Sequence, residues 1–116
     1  MKELSALEAF DIFKSFSSAR HYWVMYASYF DGLVTDPAAM FIPVDDHMVH
    51  RGDGIFEAAR FHNGRVFDLD GHLSRLMKSA DLISLKMKWN VAEISRLVQT
   101  VVDKSPGRDG MLRIFV

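Results

Sequence analysis

The sequence predicts an α+β fold, a small antiparallel-rich sheet with helices packed mainly on one side. Three observations point there. Residues 55–61, IFEAARF, can be split by strand alternation into two faces. Asn63-Gly64 follows, and both residues tolerate the positive φ of a two-residue hairpin turn, so the run is expected to fold back along Arg65 to Leu69. Two later stretches carry apolar side chains at helical spacing, Leu73, Leu76, Met77, Ala80 and Ile83 in one, Val91, Ile94, Leu97, Val98, Val101 and Val102 in the other.

Taken in order, Ser5 followed by Glu8 forms a capping box that opens a helix whose broad apolar face is Leu7, Phe10, Ile12, Phe13 and Phe16. So much phenylalanine implies that the helix covers something. Ser17 to His21 is expected to end it, which sets residues 1–20 apart as a helical extension and leaves 21–116 as the main domain. Tyr22 to Phe30 is rich in aromatic side chains, and Asp31-Gly32 suits a hairpin turn into Leu33-Val34-Thr35. Asp36-Pro37 breaks that strand, and Met40 to Val44 is expected to form another short one. Asp45-Asp46-His47 reads as a polar loop, in which a local capping role suffices for the two carboxylates.

Gly52 and Gly54 then flank Asp53 and free the backbone ahead of the 55–61 strand. Asp70 can cap the first of the two core helices. Asn90 followed by Glu93 caps the second, and Ser105-Pro106-Gly107 stops it. Met111 to Val116 begins a strand that ends in an apolar run, and the chain is therefore expected to continue in the intact protein.

Composition narrows the function classes. A formal net charge of -1 gives no electrostatic case for nucleic acid or an acidic membrane surface. With no cysteine, disulfides, thiolate catalysis and zinc–thiolate sites are excluded. No apolar run approaches the ~20 residues of a membrane span, and a cytoplasmic location is expected. His47 and His50 lie in a loop with no carboxylate-helix pattern of a metal site around them, and no metal is expected there or at His72.

The order HRGDGIFEAARFHNGRVFDLDGHLSRLMKSA resembles the N-terminal domain of the fold-type IV aminotransferases, which use pyridoxal 5′-phosphate. That family includes branched-chain aminotransferases, D-amino-acid transaminases and aminodeoxychorismate lyase. The resemblance runs from about Tyr22 to Val116, and its most specific pieces are GDGIFE, the hairpin and HLSRL. The preceding MYASYFDGLVTDPAAMFIPVDDHMVHRGDG is most similar to the subgroup related to D-amino-acid transaminases.

The resemblance implies roles residue by residue. Arg75, the arginine of HLSRL, would bind the cofactor phosphate, for which a rigid guanidinium fork suits better than a mobile ammonium. Otherwise it is a surface arginine on an amphipathic helix. Phe56, Ala58 and Arg60 share the strand face that looks into the family's substrate pocket; Phe56 would give an apolar wall, Ala58 room for a side chain, and Arg60 a partner for a substrate carboxylate or for the main chain. Core packing is the plain alternative for the first two. Arg51, a further candidate for substrate binding, stands where some members carry an aromatic residue reaching toward the neighbouring subunit's site, and an arginine there departs from that subset. Arg113, in MLRIF, matches an arginine of the branched-chain enzymes that lies near the active site through the dimer interface, or is simply a salt-bridged strand residue. Glu57, on the opposite face, reads as structural.

One requirement is unmet. The chemistry needs a Schiff-base lysine, which the family supplies from its larger C-terminal domain, and none of Lys2, Lys14, Lys78, Lys86, Lys88 and Lys104 lies in that context. No catalytic residue is therefore expected here. The chain is expected to be the small domain of a transaminase-like enzyme, truncated before the catalytic-lysine domain and inactive alone. Its partners would be that C-terminal domain or a second chain supplying it, a second copy in a homodimer, and an amino acid and a 2-oxo acid as substrates. Aminodeoxychorismate lyase-like activity, or a non-catalytic module pairing with another chain, are the alternatives.

Overall fold

Strand alternation decides the architecture. In the computed structural model, which describes residues 1–17 and 21–116, the chain forms two compact units, 1–41 and 42–116. In the second unit, strand β3, Phe56–His62, alternates exposed and buried side chains without a break. It is the middle strand of a three-stranded antiparallel sheet, between β4, Arg65–Val66, and β5, Gly110–Phe115. The Asn63-Gly64 turn joins β3 to β4 with φ of 51° and 74°, the left-handed pair a two-residue hairpin requires.

Helices α3, Leu69–Leu82, and α4, Val91–Lys104, cover one face of this sheet. Their buried stripes, Leu73, Leu76 and Ala80 from α3 with Ile94 and Val98 from α4, meet Ile55 and Leu112 in one core. Leu73 and Leu76 retain no exposed surface. The expected α+β arrangement is thus what forms.

Local details depart from expectation where the sheet meets the helix. The returning strand stops at Val66 instead of Leu69, and the helix begins where the strand was expected to continue. Phe67 still donates its N–H to the Arg60 carbonyl, so the chain must turn from sheet into helix almost at once. Asp68 achieves this in the left-handed region, at φ 47° and ψ 44°, a conformation aspartate tolerates better than most residues. It is Asp68, not Asp70, that stands at the N-cap, and it makes no side-chain capping bond. Its carboxylate lies over Gly71, where an added Cβ would collide with Oδ2.

The capping box of α4 forms as expected, with the Asn90 side chain accepting from the Glu93 N–H at 3.0 Å and Glu93 accepting from the Asn90 N–H at 2.8 Å. Asp45 and Asp46 stay outside regular structure as expected, but His47–His50, read as loop, forms a one-turn helix, α2, which Asp46 caps by accepting from the Met48 N–H at 2.9 Å. Met48 packs so closely on Gly54 that a Cβ there would meet its Cγ at 2.7 Å.

The first unit holds helix α1, Ala6–Ser17, and a two-stranded antiparallel sheet of β1, Met25–Ala27, and β2, Gly32–Val34. The Ser5–Glu8 capping box is present, but Leu7, Phe10, Ile12 and Phe16 of α1 stay exposed. The expected helix end at Ser17 to His21 runs across residues 18–20, which lie outside the described residues. Met40 to Val44 does not form a strand. A 3-10 turn at Pro37–Ala39 precedes it, Pro43 has no N–H to give a ladder, and the local N–H groups close turns, as from Met40 to the Pro37 carbonyl.

The capping box yields a direct expectation. Asn90→Ala should cost the complete protein about 0.5–2 kcal/mol, read as a lower urea midpoint, while Asn90→Ser should largely restore it.

Candidate functional site

The alternation of β3 sends Ile55, Glu57, Ala59 and Phe61 toward the helices, and Glu57 is the one charged residue among them. A carboxylate in such a place needs partners, because desolvation penalises its charged form. Helix α3 brings them. His72 and Arg75, three positions apart on one helix face and flanking the buried Leu73–Leu76 stripe, both reach Glu57. Arg75 donates from Nε to Oε1 at 2.7 Å and from Nη2 to Oε2 at 2.6 Å, a bidentate pair.

His72 Nδ1 lies 2.9 Å from the same Oε2 and 3.0 Å from Arg75 Nη2. An ionised carboxylate only accepts, so Nδ1 carries the proton and donates to Oε2. The approach of Nδ1 to Nη2 is then two donors converging on one acceptor. Exposure separates the members sharply: 7% for the Glu57 side chain, 17% for His72 and 62% for Arg75. Arg75 thus spans from a buried anion to open surface. Its hydrogen bonds hold the Glu57 carboxyl below the usual carboxylate range, with His72 adding to them against the opposing effect of burial. Glu57 in turn raises the Arg75 pKa.

The residues on the other face of β3 form a separate group. Because Ile55 and Val116 exchange both backbone hydrogen bonds, the pairs Phe56↔Phe115, Ala58↔Arg113 and Arg60↔Met111 are of the non-hydrogen-bonded kind, whose side chains stand closer. The structure therefore gathers Phe56, Ala58, Arg60 and Arg113 on one open sheet face, where Phe56 is 67% exposed and its ring lies 6.2 Å from that of Phe115. It does not bring Arg75 to that face, since Arg75 holds Glu57 on the helix side. Arg51 stands apart from both groups, exposed at the C-cap of α2.

The donor set fits a phosphate such as that of pyridoxal phosphate. Two of the five guanidinium N–H groups are committed to Glu57, and Nη1 has no hydrogen-bond partner among the described residues. All six lysines are exposed, and Lys2 pairs with Glu8 at 3.2 Å while Lys88 lies over the Trp89 ring. Reading residues singly missed the part played by Glu57 and His72. Their signal was present in the i, i+3 spacing of His72 and Arg75 facing an inward carboxylate.

Similarity to known proteins identifies the family. The model of the family described as amino-transferase class IV matches residues 54–116. The chain is similar to a chloroplastic D-amino-acid transaminase of Arabidopsis thaliana, 40% identical over 97% of the chain and 30% of that protein. It is 33% identical to a D-alanine aminotransferase of Bacillus licheniformis over 75% of the chain and 31% of the relative. Among solved structures, a branched-chain aminotransferase of Thermoproteus uzoniensis crystallised with norvaline superposes with a TM-score of 0.64 at 27% identity, covering 73% of the chain and 30% of its own. The chain thus spans about 30% of the length of the proteins it resembles.

The depressed Glu57 pKa fixes a pH dependence. The folded value lies below the ordinary carboxylate value of about 4.3, so the stabilisation is complete above that value and is lost as pH falls through the folded pKa. Glu57→Gln should cost about 1–3 kcal/mol near neutral pH and flatten the decline of stability below pH ~4, measured by urea unfolding of the complete protein across pH. An unchanged acid limb would contradict the pairing.

Proposed function

The chain belongs to the class IV aminotransferases, and from that premise we propose that it forms the phosphate-holding half of the cofactor site in a pyridoxal-phosphate-dependent transaminase. The complete enzyme transfers an amino group between an amino acid and a 2-oxo acid. Its Schiff-base lysine comes from a C-terminal domain or a second chain, as the lengths of the relatives suggest. The observation that carries this reading is Arg75, fixed on Glu57 along one edge and open along the other.

Pyridoxal phosphate, when bound, supplies the carbonyl carbon that takes up the amino group and a ring that accepts electrons. What this chain contributes is binding and orientation. Arg75 would hold the phosphate through the guanidinium edge left open by Glu57, and its permanent positive charge would offset part of the phosphate's charge at any working pH. On the open sheet face, Phe56 walls the substrate side chain and Ala58 leaves it room, while Arg60 and Arg113 bind carboxylate. Their shared face and the cross-strand pairing of Ala58 with Arg113 support this assignment. Arg51, at the exposed end of α2, reaches toward the site of a second subunit in a homodimer.

D-amino acids are the proposed substrates. The 40% identity to the Arabidopsis transaminase extends across 97% of the chain, well beyond the residues the family model matches. Branched-chain amino acids are the second reading, favoured by a probable branched-chain aminotransferase of Rickettsia bellii at 37% identity over 60% of the chain. No helix among the described residues is long and apolar enough to cross a membrane, and a cytoplasmic location is part of the proposal.

Two measurements test it. The complete protein should transaminate a 2-oxo acid from a D-amino acid faster than from an L-branched-chain one; the reverse order would favour the second reading. Arg75→Ala should weaken pyridoxal phosphate binding by about 10–100-fold, the scale of losing charge-assisted hydrogen bonds. Unchanged binding would remove Arg75 from the cofactor site.

A further inference from the structure

Resting on that reading of Arg75, we propose that Glu57 and His72 are positioning residues: they lock one edge of the Arg75 guanidinium so that the opposite edge meets the cofactor phosphate already oriented. The guanidinium is planar, and two bonds to one carboxylate, at 2.7 and 2.6 Å, fix both its position and its plane. The free Nη1 is then the edge turned away from Glu57. On an isolated surface arginine the same atoms would sample many rotamers, and a phosphate would have to freeze them on binding.

His72 secures the anchor itself. Glu57 Oε2 receives Nη2 of Arg75 and Nδ1 of His72, while Oε1 receives Nε. Three donors on two oxygens hold the carboxylate against rotation, and its burial leaves little room for water to take their place.

Electrostatics opposes this role, and the opposition makes it testable by sign. Glu57 is an anion beside a cation that must attract another anion. Were Glu57 only a counter-charge, its removal would strengthen phosphate binding. A positioning residue predicts the opposite, because losing the fixed orientation outweighs the gain in local positive charge.

The experiment measures equilibrium binding of pyridoxal phosphate and of pyridoxal, which lacks the phosphate, to the complete protein. Glu57→Gln should weaken pyridoxal phosphate by about 10-fold, the lower end of what losing an orienting partner costs at metal ligands, and leave pyridoxal unchanged. In an Arg75→Ala background it should have no further effect. His72→Ala should produce a smaller loss of the same phosphate-specific kind, which His72→Asn, keeping an N–H donor near the Nδ1 position, should restore. If Glu57→Gln does not fold, the two His72 variants carry the test. Tighter pyridoxal phosphate binding in Glu57→Gln, or equal losses for both ligands, would overturn the positioning role while leaving Arg75 as the phosphate ligand. If Arg75→Ala itself fails to change the preference for pyridoxal phosphate over pyridoxal, the phosphate reading falls and this inference with it.

Discussion

A carboxylate taken out of water must be paired, and Glu57 imposes that condition on the sheet and helix around it. With 7% of its side chain exposed, it faces the same side as Ala59 and Phe61, and α3 must lie where His72 and Arg75 can reach it. Leu73 and Leu76 bury their whole surface in the same turns of that helix. Apolar packing draws α3 onto the sheet, and the ion pair specifies the rotation at which it settles. Since Arg75 is largely exposed, solvent screens much of its attraction, and the pairing matters more for geometry than for net stability.

The two-residue period of a strand lets β3 serve two purposes. One face carries Glu57 among the core residues, and the other carries Phe56, Ala58 and Arg60 opposite Phe115, Arg113 and Met111 of β5. A register slip of one residue would exchange the faces, exposing Glu57 and Phe61 and driving Arg60 into the core. The left-handed Asn63-Gly64 turn guards against this by fixing the hairpin, and Arg108 and Asp109 clasp the turn. Arg108 donates to the Asn63 carbonyl at 3.0 Å, and the Asn63 N–H donates to Asp109 at 2.8 Å.

Much of this was legible in the sequence, for physical reasons. Alternation in residues 55–61 named the inward and outward sets, the Asn-Gly pair named the hairpin, and Asn90 with Glu93 named the start of α4, because each signal is local. What failed was decided at a distance or by competition. Met40 to Val44 is apolar enough for a strand but has a proline inside it, and the N–H groups of Met40 and Phe41 are drawn into local turns. Asp68 displaced Asp70 at the helix start because the hairpin ladder continued to Phe67 and forced an abrupt turn. The Glu57–His72–Arg75 cluster joins residues 15 and 18 positions apart; the i, i+3 spacing of His72 and Arg75 marks its helix half, but the contact itself is set by how α3 packs on the sheet.

A crystal structure of the complete protein with pyridoxal phosphate bound would decide the matter. Arg75 should remain paired through Nε and Nη2 with Glu57, with Nη1 donating to a phosphate oxygen. A phosphate bound elsewhere, or Arg75 swung off Glu57 to reach it, would contradict the claim that a buried carboxylate sets the cofactor-binding edge.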